Sequence, residues 1–308
     1  MKTTRTKRNL LIIFMILAGV GLFAYPMASN YLFAKNASDI ARNFDKAVDE
    51  ADPVDLEQAW REAVAYNESL EGNPVKDPFL KDSGMVMAEN YAQVLDLTGN
   101  GVMGYITIPK IGVMISVYHG TAEEVLQQGA GHLEGSSLPI GGADSHSVLT
   151  GHTGLAHAKM FTDLRKLGED DLFFLHILDQ TLAYKVDQIK VVLPEDTGDL
   201  RRVSGMDYCT LVTCTPYGVN THRLLVRGVR TEYVPEAENK LIAESRPSAQ
   251  WFTEWNMLIG LAIGAIAATI VIIAAVLRRK RKLKERKRYW WEEVEMPEKE
   301  NWSNPWRL

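Results

Sequence analysis

Cysteine is scarce in this chain, which has only Cys209 and Cys214 among its 308 residues. Five residues apart on an extended strand, they point to opposite faces and their Cα atoms lie about 16 Å apart. A disulfide needs Cα atoms within about 7 Å, so these thiols cannot pair without breaking the strand. The scarcity excludes a disulfide-built scaffold, and without a Cys-x-x-Cys or His/Cys cluster nothing indicates zinc or another cofactor.

Basic side chains are lacking in the middle of the chain. The formal net charge of −5 hides this division, because residues 1–8 carry 4 basic side chains and residues 278–308 carry 11 basic and 6 acidic ones. The segment between them holds 19 basic and 33 acidic side chains, a balance of −14. Such an acidic segment is no nucleic-acid binder. The acidic runs at 123–124 and 169–171 are interpreted as solvated faces rather than calcium ligands.

Internal repeats and low-complexity tracts are missing as well, and only two long apolar runs occur. The first, at 9–26, predicts an N-terminal membrane segment or signal anchor. It is short for a span and also fits the apolar region of a signal peptide cleaved near Met27–Ser29. The second, at 257–277, contains no charged residue and is long enough to cross a bilayer.

The charges around the two apolar runs predict a topology. Basic residues flank each run on its outer end, at 1–8 and 278–308. The positive-inside rule therefore places both termini in the cytoplasm and residues 31–254 outside. We expect a multi-pass protein of the cell membrane, with its main domain on the extracellular face.

The region before residue 100 divides into a helical extension and a loop. Apolar residues recur at helical spacing over 36–71, with a break at Asp52-Pro53. The segment 72–84 contains two prolines, two glycines and four charges, which exclude a regular element. It reads as a plain linker, or as a lid whose Asp77 and Phe79 cover a site elsewhere.

A mainly β domain is predicted from residue 101 to residue 235. Short alternating strands are separated by glycine-containing turns, a pattern typical of a closed or nearly closed barrel. Helical turns are expected at 122–127 and 159–167, and separate strands at 181–186 and 189–193.

The segment from residue 209 to 229 holds the strongest chemical signal. It reads as two strands joined by a Thr-Pro-Tyr-Gly turn, with Cys214 where the first strand ends. Arg223, on the second strand, could raise the thiolate fraction of Cys214 and donate hydrogen bonds to a developing oxyanion. The alternative is that Cys214 is simply a small buried apolar residue.

The chain contains seven histidines, each of which is a candidate for the general base. His152 stands at a predicted strand end between Gly151 and Gly154, which allow close approach of backbone and substrate. His222 adjoins Arg223 and therefore points to the opposite face of the strand. His119, His132 and His146 are placed in turns and His176 in mid-strand, so His152 is the favoured base.

These residues together resemble a family. The stretch Leu-Thr-Gly-His-Thr-Gly-Leu at 149–155, the stretch Thr-Leu-Val-Thr-Cys at 210–214 and the following Arg223 resemble the sortases, the membrane-anchored cysteine transpeptidases of Gram-positive bacteria. Segments 118–121, 131–135 and 182–186, the lid and the second span are similar to the pilin-polymerising class C branch.

The resemblance implies an eight-stranded β-barrel and a role for each site residue. Cys214 would be the nucleophile, His152 the general acid/base, and Arg223 the group that stabilises substrate and oxyanion. The substrate would be a pilin or surface protein with an LPxTG-like sorting signal, cut between Thr and Gly through a thioester. In class C, a lysine amine of a pilin subunit then takes the acyl group.

The resemblance also implies a lid of Asp77, Pro78 and Phe79, with the aspartate toward Arg223 and the aromatic ring over Cys214. Phe79 stands where many lids of the family have tryptophan, and Thr153 stands where relatives often have arginine. Two alternatives are a sortase that anchors surface proteins to cell-wall peptide and an inactive surface-binding domain. The lid and second span argue against the first, and the complete catalytic set argues against the second.

Overall fold

The structure is a computed structural model that describes residues 2–70, 77, 79, 90–245, 264, 266, 269–270 and 273–283. Its contacts divide the chain into two units. The larger unit, Gly21–Ser248, contains every strand found in the described residues. The smaller unit consists of Met1–Val20 together with Ala249–Leu308, and its described residues are helical.

Four helices and eight strands form the described part of the chain. In chain order they are α1 (Lys2–Glu50), α2 (Pro53–Ser69), β1 (Val102–Ile108), β2 (Val113–His119), α3 (Glu123–Leu126), β3 (Ala130–His132), β4 (Ser145–Thr150), β5 (Leu172–Ile177), β6 (Gln180–Val192), β7 (Asp207–Thr215), β8 (His222–Thr231) and α4 (Pro235–Ser245).

The strands close into one barrel in the order β1-β2-β3-β4-β7-β8-β6-β5, with β5 returning to β1. Most neighbours run antiparallel, but β2 pairs with β3 and β4 pairs with β7 in parallel. Closure leaves no sheet edge unpaired. The predicted eight-stranded, mainly β fold with an N-terminal helical extension is confirmed.

The main hydrophobic core fills the barrel and extends under the two N-terminal helices. Leu211 and Val226, paired across β7 and β8, are fully buried in it. Phe44 of α1 and Ala63 of α2 belong to the same cluster. Because side chains alternate along a strand, Val212 and Leu225 face the other side. There they join a second, smaller cluster with Leu133, Val148 and Leu200.

The break between α1 and α2 lies where the sequence predicts it. The carboxylate of Asp52 accepts a hydrogen bond from the Val54 amide at 2.9 Å and caps α2. Proline at the first helical position lacks only an N–H that would have had no partner inside the helix. The Asp52-Pro53 pair therefore ends one helix and starts the next.

One helix in the described residues is long and apolar enough to cross a membrane. This is the part of α1 from Phe14 to Glu50, which reaches a mean hydropathy of 1.3 and has none of that apolar window buried. The predicted second span at 257–277 lies largely outside the described residues, and its described residues are helical. Most of the basic tail at 278–308 also lies outside them.

Several local predictions were wrong. The strands predicted at 181–186 and 189–193 are one strand, β6, with a bulge between Val186 and Gln188. The helix predicted at 159–167 is reduced to a 3-10 turn at Leu164–Lys166. The histidines placed in turns all lie in strands, where they are paired by sheet register: His119, His132 and His146. The helix α4 was not predicted.

Candidate active site

The register between β7 and β8 sets Cys214 directly opposite Arg223. Directly opposed residues in an antiparallel pair share a face, with Cβ atoms about 4.5–5.5 Å apart. Arg223 is 8% exposed and Cys214 is half-buried, one residue from the end of β7. The sheet therefore holds a guanidinium beside a partly accessible thiol.

His152 reaches the same end of the barrel through the parallel pairing of β4 with β7. Thr150 lies opposite Val212. The Gly151 amide then donates to the Val212 carbonyl at 3.0 Å, and the Thr213 hydroxyl donates to the Gly151 carbonyl at 2.7 Å. His152 follows directly, at the end of β7 that carries the thiol.

Gly151 is required by the close packing behind His152. A Cβ atom at this position would lie 2.7 Å from the ring of Phe161. The Phe161 amide also donates to the His152 carbonyl at 3.1 Å. The backbone that carries the imidazole is thus held from both sides, which limits where the ring can move.

Asp77 binds Arg223 through both carboxylate oxygens. Arg223 Nε donates to Oδ1 and Nη2 donates to Oδ2, each at 2.8 Å. The third nitrogen, Nη1, donates to the backbone carbonyls of Asn220 and His222 at 3.2 Å. Every guanidinium nitrogen therefore has a protein partner, and a substrate oxygen can bind this fork only after Asp77 moves.

Phe79 packs on two members of the site. Its ring centroid lies 4.9 Å from Arg223 Cζ and 6.0 Å from the imidazole centroid of His152. It also packs against the smaller hydrophobic cluster, together with Val192. The sequence predicts this ring over Cys214, whereas the ring contacts found are with His152 and Arg223. Pro78 lies outside the described residues.

The electrostatics of the thiol are set by three groups. Burial raises the pKa of Cys214 above its ordinary value, the Arg223 guanidinium lowers it, and the Asp77 carboxylate raises it again. Since the charge of Asp77 offsets that of Arg223, the Asp77–Arg223 contact favours the protonated thiol. Removal of Asp77 from the fork would leave the guanidinium to favour the thiolate.

A cavity of about 110 Å³ opens beside Cys214. Thr153 and Thr162 line it from the segment after β4, and Tyr217 lines it from the turn after β7. Thr153, which the sequence left without a role, therefore faces the space beside the thiol. The cavity is small, as expected of a subsite for one side chain or a backbone turn.

Glu123 is a site neighbour that sequence reasoning missed. Its Oε1 lies 3.3 Å from His152 Nε2, with 62% of the glutamate and 18% of the histidine side chain exposed. The imidazole Nε2 makes no hydrogen bond with any described residue, so the two groups form an ion pair only when the imidazole carries a proton. Local sequence offers no signal for it, because the contact joins α3 to the segment after β4.

Two of the other histidines are structural. His132 donates to or accepts from Tyr91 and contacts the Ser137 carbonyl, and His146 contacts Arg201 and Thr210. Burial lowers the pKa of each to about 4, so both stay neutral at physiological pH. His222 is half-buried and bonds to Thr221, away from Arg223 on the alternating strand.

Among the described residues, no group of three or more His, Cys, Asp or Glu side chains could hold a metal ion. Both cysteines are free. A half-buried thiol opposite a guanidinium, with an imidazole at the same end of the barrel, can support covalent acyl transfer, in which the thiolate attacks a carbonyl and the cation stabilises the oxyanion. The fold and this cluster define a cysteine acyl-transfer class of protein.

Comparison with known proteins places the chain within that class. A Sortase domain family model matches residues 106–231. The solved sortase C-1 of Streptococcus pneumoniae is 49% identical, with a TM-score of 0.60, over 64% of this chain and 100% of that one. Sortase C-1 from Actinomyces oris is 47% identical, with a TM-score of 0.55, over 58% and 99%.

Two further relatives extend the comparison. A pilus-related sortase C of Group B Streptococcus is 44% identical, with a TM-score of 0.58, over 63% of this chain and 97% of that one. Sortase A of Staphylococcus aureus is 27% identical over 67% of this chain and 85% of its own length. The chain therefore belongs to the sortase family and, within it, to class C.

Proposed function

We propose that this protein is a transpeptidase that cuts an LPxTG-like sorting signal between Thr and Gly and transfers the acyl group to a lysine amine of a pilin subunit. The observation that carries the proposal is the cross-strand pair of Cys214 and Arg223, with Arg223 closed off by Asp77. A guanidinium aimed at the same space as a thiol suits an acyl-transfer step better than a structural role.

In the first half-reaction, the Cys214 thiolate attacks the threonine carbonyl and forms a C–S bond. Arg223 donates hydrogen bonds to the oxyanion. The C–N bond then breaks, and protonated His152 gives its proton to the leaving glycine amine. The products are a thioester on Cys214 and a free peptide amine.

In the second half-reaction, a lysine amine attacks the thioester carbonyl. His152, now neutral, accepts the proton that the amine releases. The C–S bond breaks, an amide forms, and the thiolate is regenerated. Water in place of the amine would give hydrolysis, which places the enzyme with the thiol peptidases. The protein itself supplies every group that this cycle requires.

Two observations support pilin assembly over attachment to cell-wall peptide. One of the solved relatives that this chain resembles is a pilus-related sortase C of Group B Streptococcus. The Asp77 carboxylate occupies the guanidinium fork, as the class C resemblance implies. The alternative is transfer of an LPxTG-type surface protein to an amine of the cell-wall peptide. The acceptor that yields product distinguishes pilin assembly from wall attachment.

We propose that the protein is anchored in the cell membrane with its barrel on the extracellular face. The apolar part of α1 supports one membrane span. The apolar sequence at 257–277 and the basic residues outside both runs support a second span, with both termini in the cytoplasm. Protease added to intact protoplasts should digest the barrel and spare a C-terminal tag.

We propose further that Asp77, Pro78 and Phe79 form a reversible inhibitory lid. With Asp77 in the fork, the Nε and Nη2 edge of Arg223 is closed to substrate. Ordering a loop costs about 1–2 kcal/mol per fixed residue, and burying a phenylalanine returns at most about 1.5–3 kcal/mol. Because the ordering cost opposes the contacts that hold the lid, a sorting signal can displace it.

The direct test incubates the full-length protein, in detergent, with a sorting-signal peptide and then with a lysine-bearing pilin. Mass spectrometry should show a thioester on a peptide that contains Cys214, and a denaturing gel should show pilin ladders. A thioester with transfer only to wall-peptide amines would reassign the acceptor. A wild-type protein that forms no thioester would contradict the proposed function as a whole.

A further inference from the structure

A second and larger cavity, of about 570 Å³, lies between α1 and the barrel. We call it the α1 groove and define it by Asn30, Phe33 and Ala34 of α1, Val113 and Met114 of β2, and Leu155 after β4. Most of these side chains are apolar, and Met114 is 36% exposed. Such a surface favours an apolar ligand segment.

The groove exists because α1 leaves the barrel toward its N-terminal part. Ala37, Ala41, Phe44 and Val48 recur at helical spacing and are all buried. The same face continues through Pro26, Asn30, Phe33 and Ala34, four lining residues at i, i+4, i+7 and i+8. From residue 34 toward residue 26 this face borders the groove, and Phe33 also packs against the main core.

Two contacts hold the α1 wall of the groove in place. The Ser29 hydroxyl donates to the His157 carbonyl at 3.2 Å, and the ring of Phe33 meets the His157 ring edge-on at 6.5 Å. His157 lies in the segment that leads from His152 toward Leu164. The groove wall is therefore tied to the same segment that carries the imidazole of the active site.

The α1 groove adjoins the cavity beside Cys214, because Thr162 and Tyr217 line both spaces. Tyr217 is 59% exposed, so its ring is free to adjust to an occupant. Neither Asp77 nor Phe79, the two described lid residues, lines the groove. The thiol therefore has Arg223 and the lid on one side, and the small cavity that borders the groove on the other.

The order of groups along the substrate decides which part of it lies on each side of the thiol. Arg223, on the lid side, is the proposed binder of the acyl carbonyl, so the acyl chain runs there. The leaving amine and the incoming amine occupy the same position relative to that carbonyl, by microscopic reversibility. A peptide extended across Cys214 therefore continues on its amine side away from the lid, toward Tyr217.

We propose that the α1 groove binds the polypeptide on the amine side of the transferred bond: the segment after the scissile bond first, and the acceptor segment afterwards. This inference rests on the proposed transpeptidase function and specifies its second binding surface. It identifies the occupant as an extended peptide with apolar side chains.

A polar atom in the groove fits the same occupant. Asn30 Oδ1 is buried and has no hydrogen-bond partner among the described residues. A buried acceptor without a partner is unfavourable, so it favours a ligand that brings a donor. A peptide backbone N–H supplies that donor, whereas a lipid acyl chain does not.

The test uses the full-length protein in lipid nanodiscs and two fluorogenic sorting-signal peptides. One peptide ends two residues after the scissile bond, and the other continues with eight apolar residues. Wild type should cleave the longer peptide with a kcat/KM about tenfold higher, equivalent to about 1.4 kcal/mol. Ala34→Trp fills the groove and should abolish this advantage while leaving cleavage of the short peptide unchanged.

The matched control is Ala28→Trp, an exposed alanine on the opposite side of α1. It should keep the tenfold advantage. Ala156→Trp, at an exposed position that lines the other wall, should behave like Ala34→Trp. Agreement between two variants on separate elements excludes a folding defect confined to one of them.

Two outcomes would overturn the inference. Wild type could cleave both peptides equally, or Ala34→Trp could keep the advantage, in which case partition of the apolar peptide into lipid explains it. Failure of the proposed function looks different, because wild type would then form no thioester with either peptide. A lysine peptide tested as acceptor, with and without the same apolar extension, should reproduce the pattern.

Discussion

Cys209 and Cys214 stand on the same strand, five residues apart, in opposite environments. Cys209 is fully buried in the barrel core, and burial raises its pKa well above the ordinary value. Cys214 is half-buried near the strand end, where Arg223 opposes the effect of burial. One strand thus supplies both a core residue and a half-buried thiol opposite Arg223, so position in the barrel decides the environment of each cysteine.

The largest expected effect separates the two thiols by chemistry. Cys214→Ala should abolish the acyl-enzyme, because Cys214 is the only nucleophile that sheet register pairs with Arg223 in the described part of the chain, while Cys209→Ala should retain it. Mass spectrometry of each variant after incubation with a sorting-signal peptide measures this. A thioester that persists in Cys214→Ala would break the comparison, since the nucleophile would have to be another group.

For the stability of the fold the order is reversed: substitution of Cys209 should cost more than substitution of Cys214. Cys209→Ser places a hydroxyl in the apolar core and should lower the free energy of unfolding by about 1–3 kcal/mol. Cys214→Ser, near the barrel mouth, should change it by less than about 0.5 kcal/mol. Denaturant unfolding monitored by circular dichroism compares them, and equal losses would show that burial does not distinguish the sites.

The lid should affect one thiol only. The double variant Asp77→Ala, Phe79→Ala should raise the rate at which a small thiol reagent labels Cys214 by about tenfold. This corresponds to the loss of about 1.4 kcal/mol that favours the closed lid over the open one. Cys209 should remain unlabelled until the barrel unfolds. Asp179→Ala with Val203→Ala, an exposed pair outside the lid, serves as control. If the folded double variant is labelled at the wild-type rate, the loop is a linker and not a lid.

The smallest effect concerns pH. Asp77 raises the pKa of the Cys214 thiol, and Arg223 lowers it. Asp77→Asn removes the negative charge, so the pKa of the Cys214 thiol should fall. More thiolate is then present at neutral pH, and the midpoint of the alkylation rate against pH should move to lower pH. A midpoint that stays in place or rises would contradict this sign.

A comparison of elements shows why some predictions held and others did not. The Asp52-Pro53 break was predictable because capping chemistry is local. The bulge that joins two predicted strands into β6 was not, because it depends on the pairing with β8. His132 and His146 read as turn residues for the same reason: glycine and serine around them mimic a turn, and only sheet register shows that they are buried.

The site divides in the same way. The proximity of Cys214 and Arg223 was predictable from the sequence. The two residues lie on consecutive antiparallel strands, and the short turn between these strands restricts their register. The lid aspartate and Arg223 are 146 residues apart, and the resemblance to a family, not any local pattern, brought them together. Neither a local pattern nor the family resemblance pointed to Glu123, so its contact with His152 was not predicted.

The sequence by itself determined the β pattern, the helical extension, the apolar runs and the identity of the two strands that carry thiol and guanidinium, because each depends on residues within a few positions of one another. Only the tertiary structure decided the bidentate contact of Asp77, the approach of Glu123 to His152 and the opening of the α1 groove. Those features depend on how distant segments meet when the barrel closes, and closure is a property of all eight strands together.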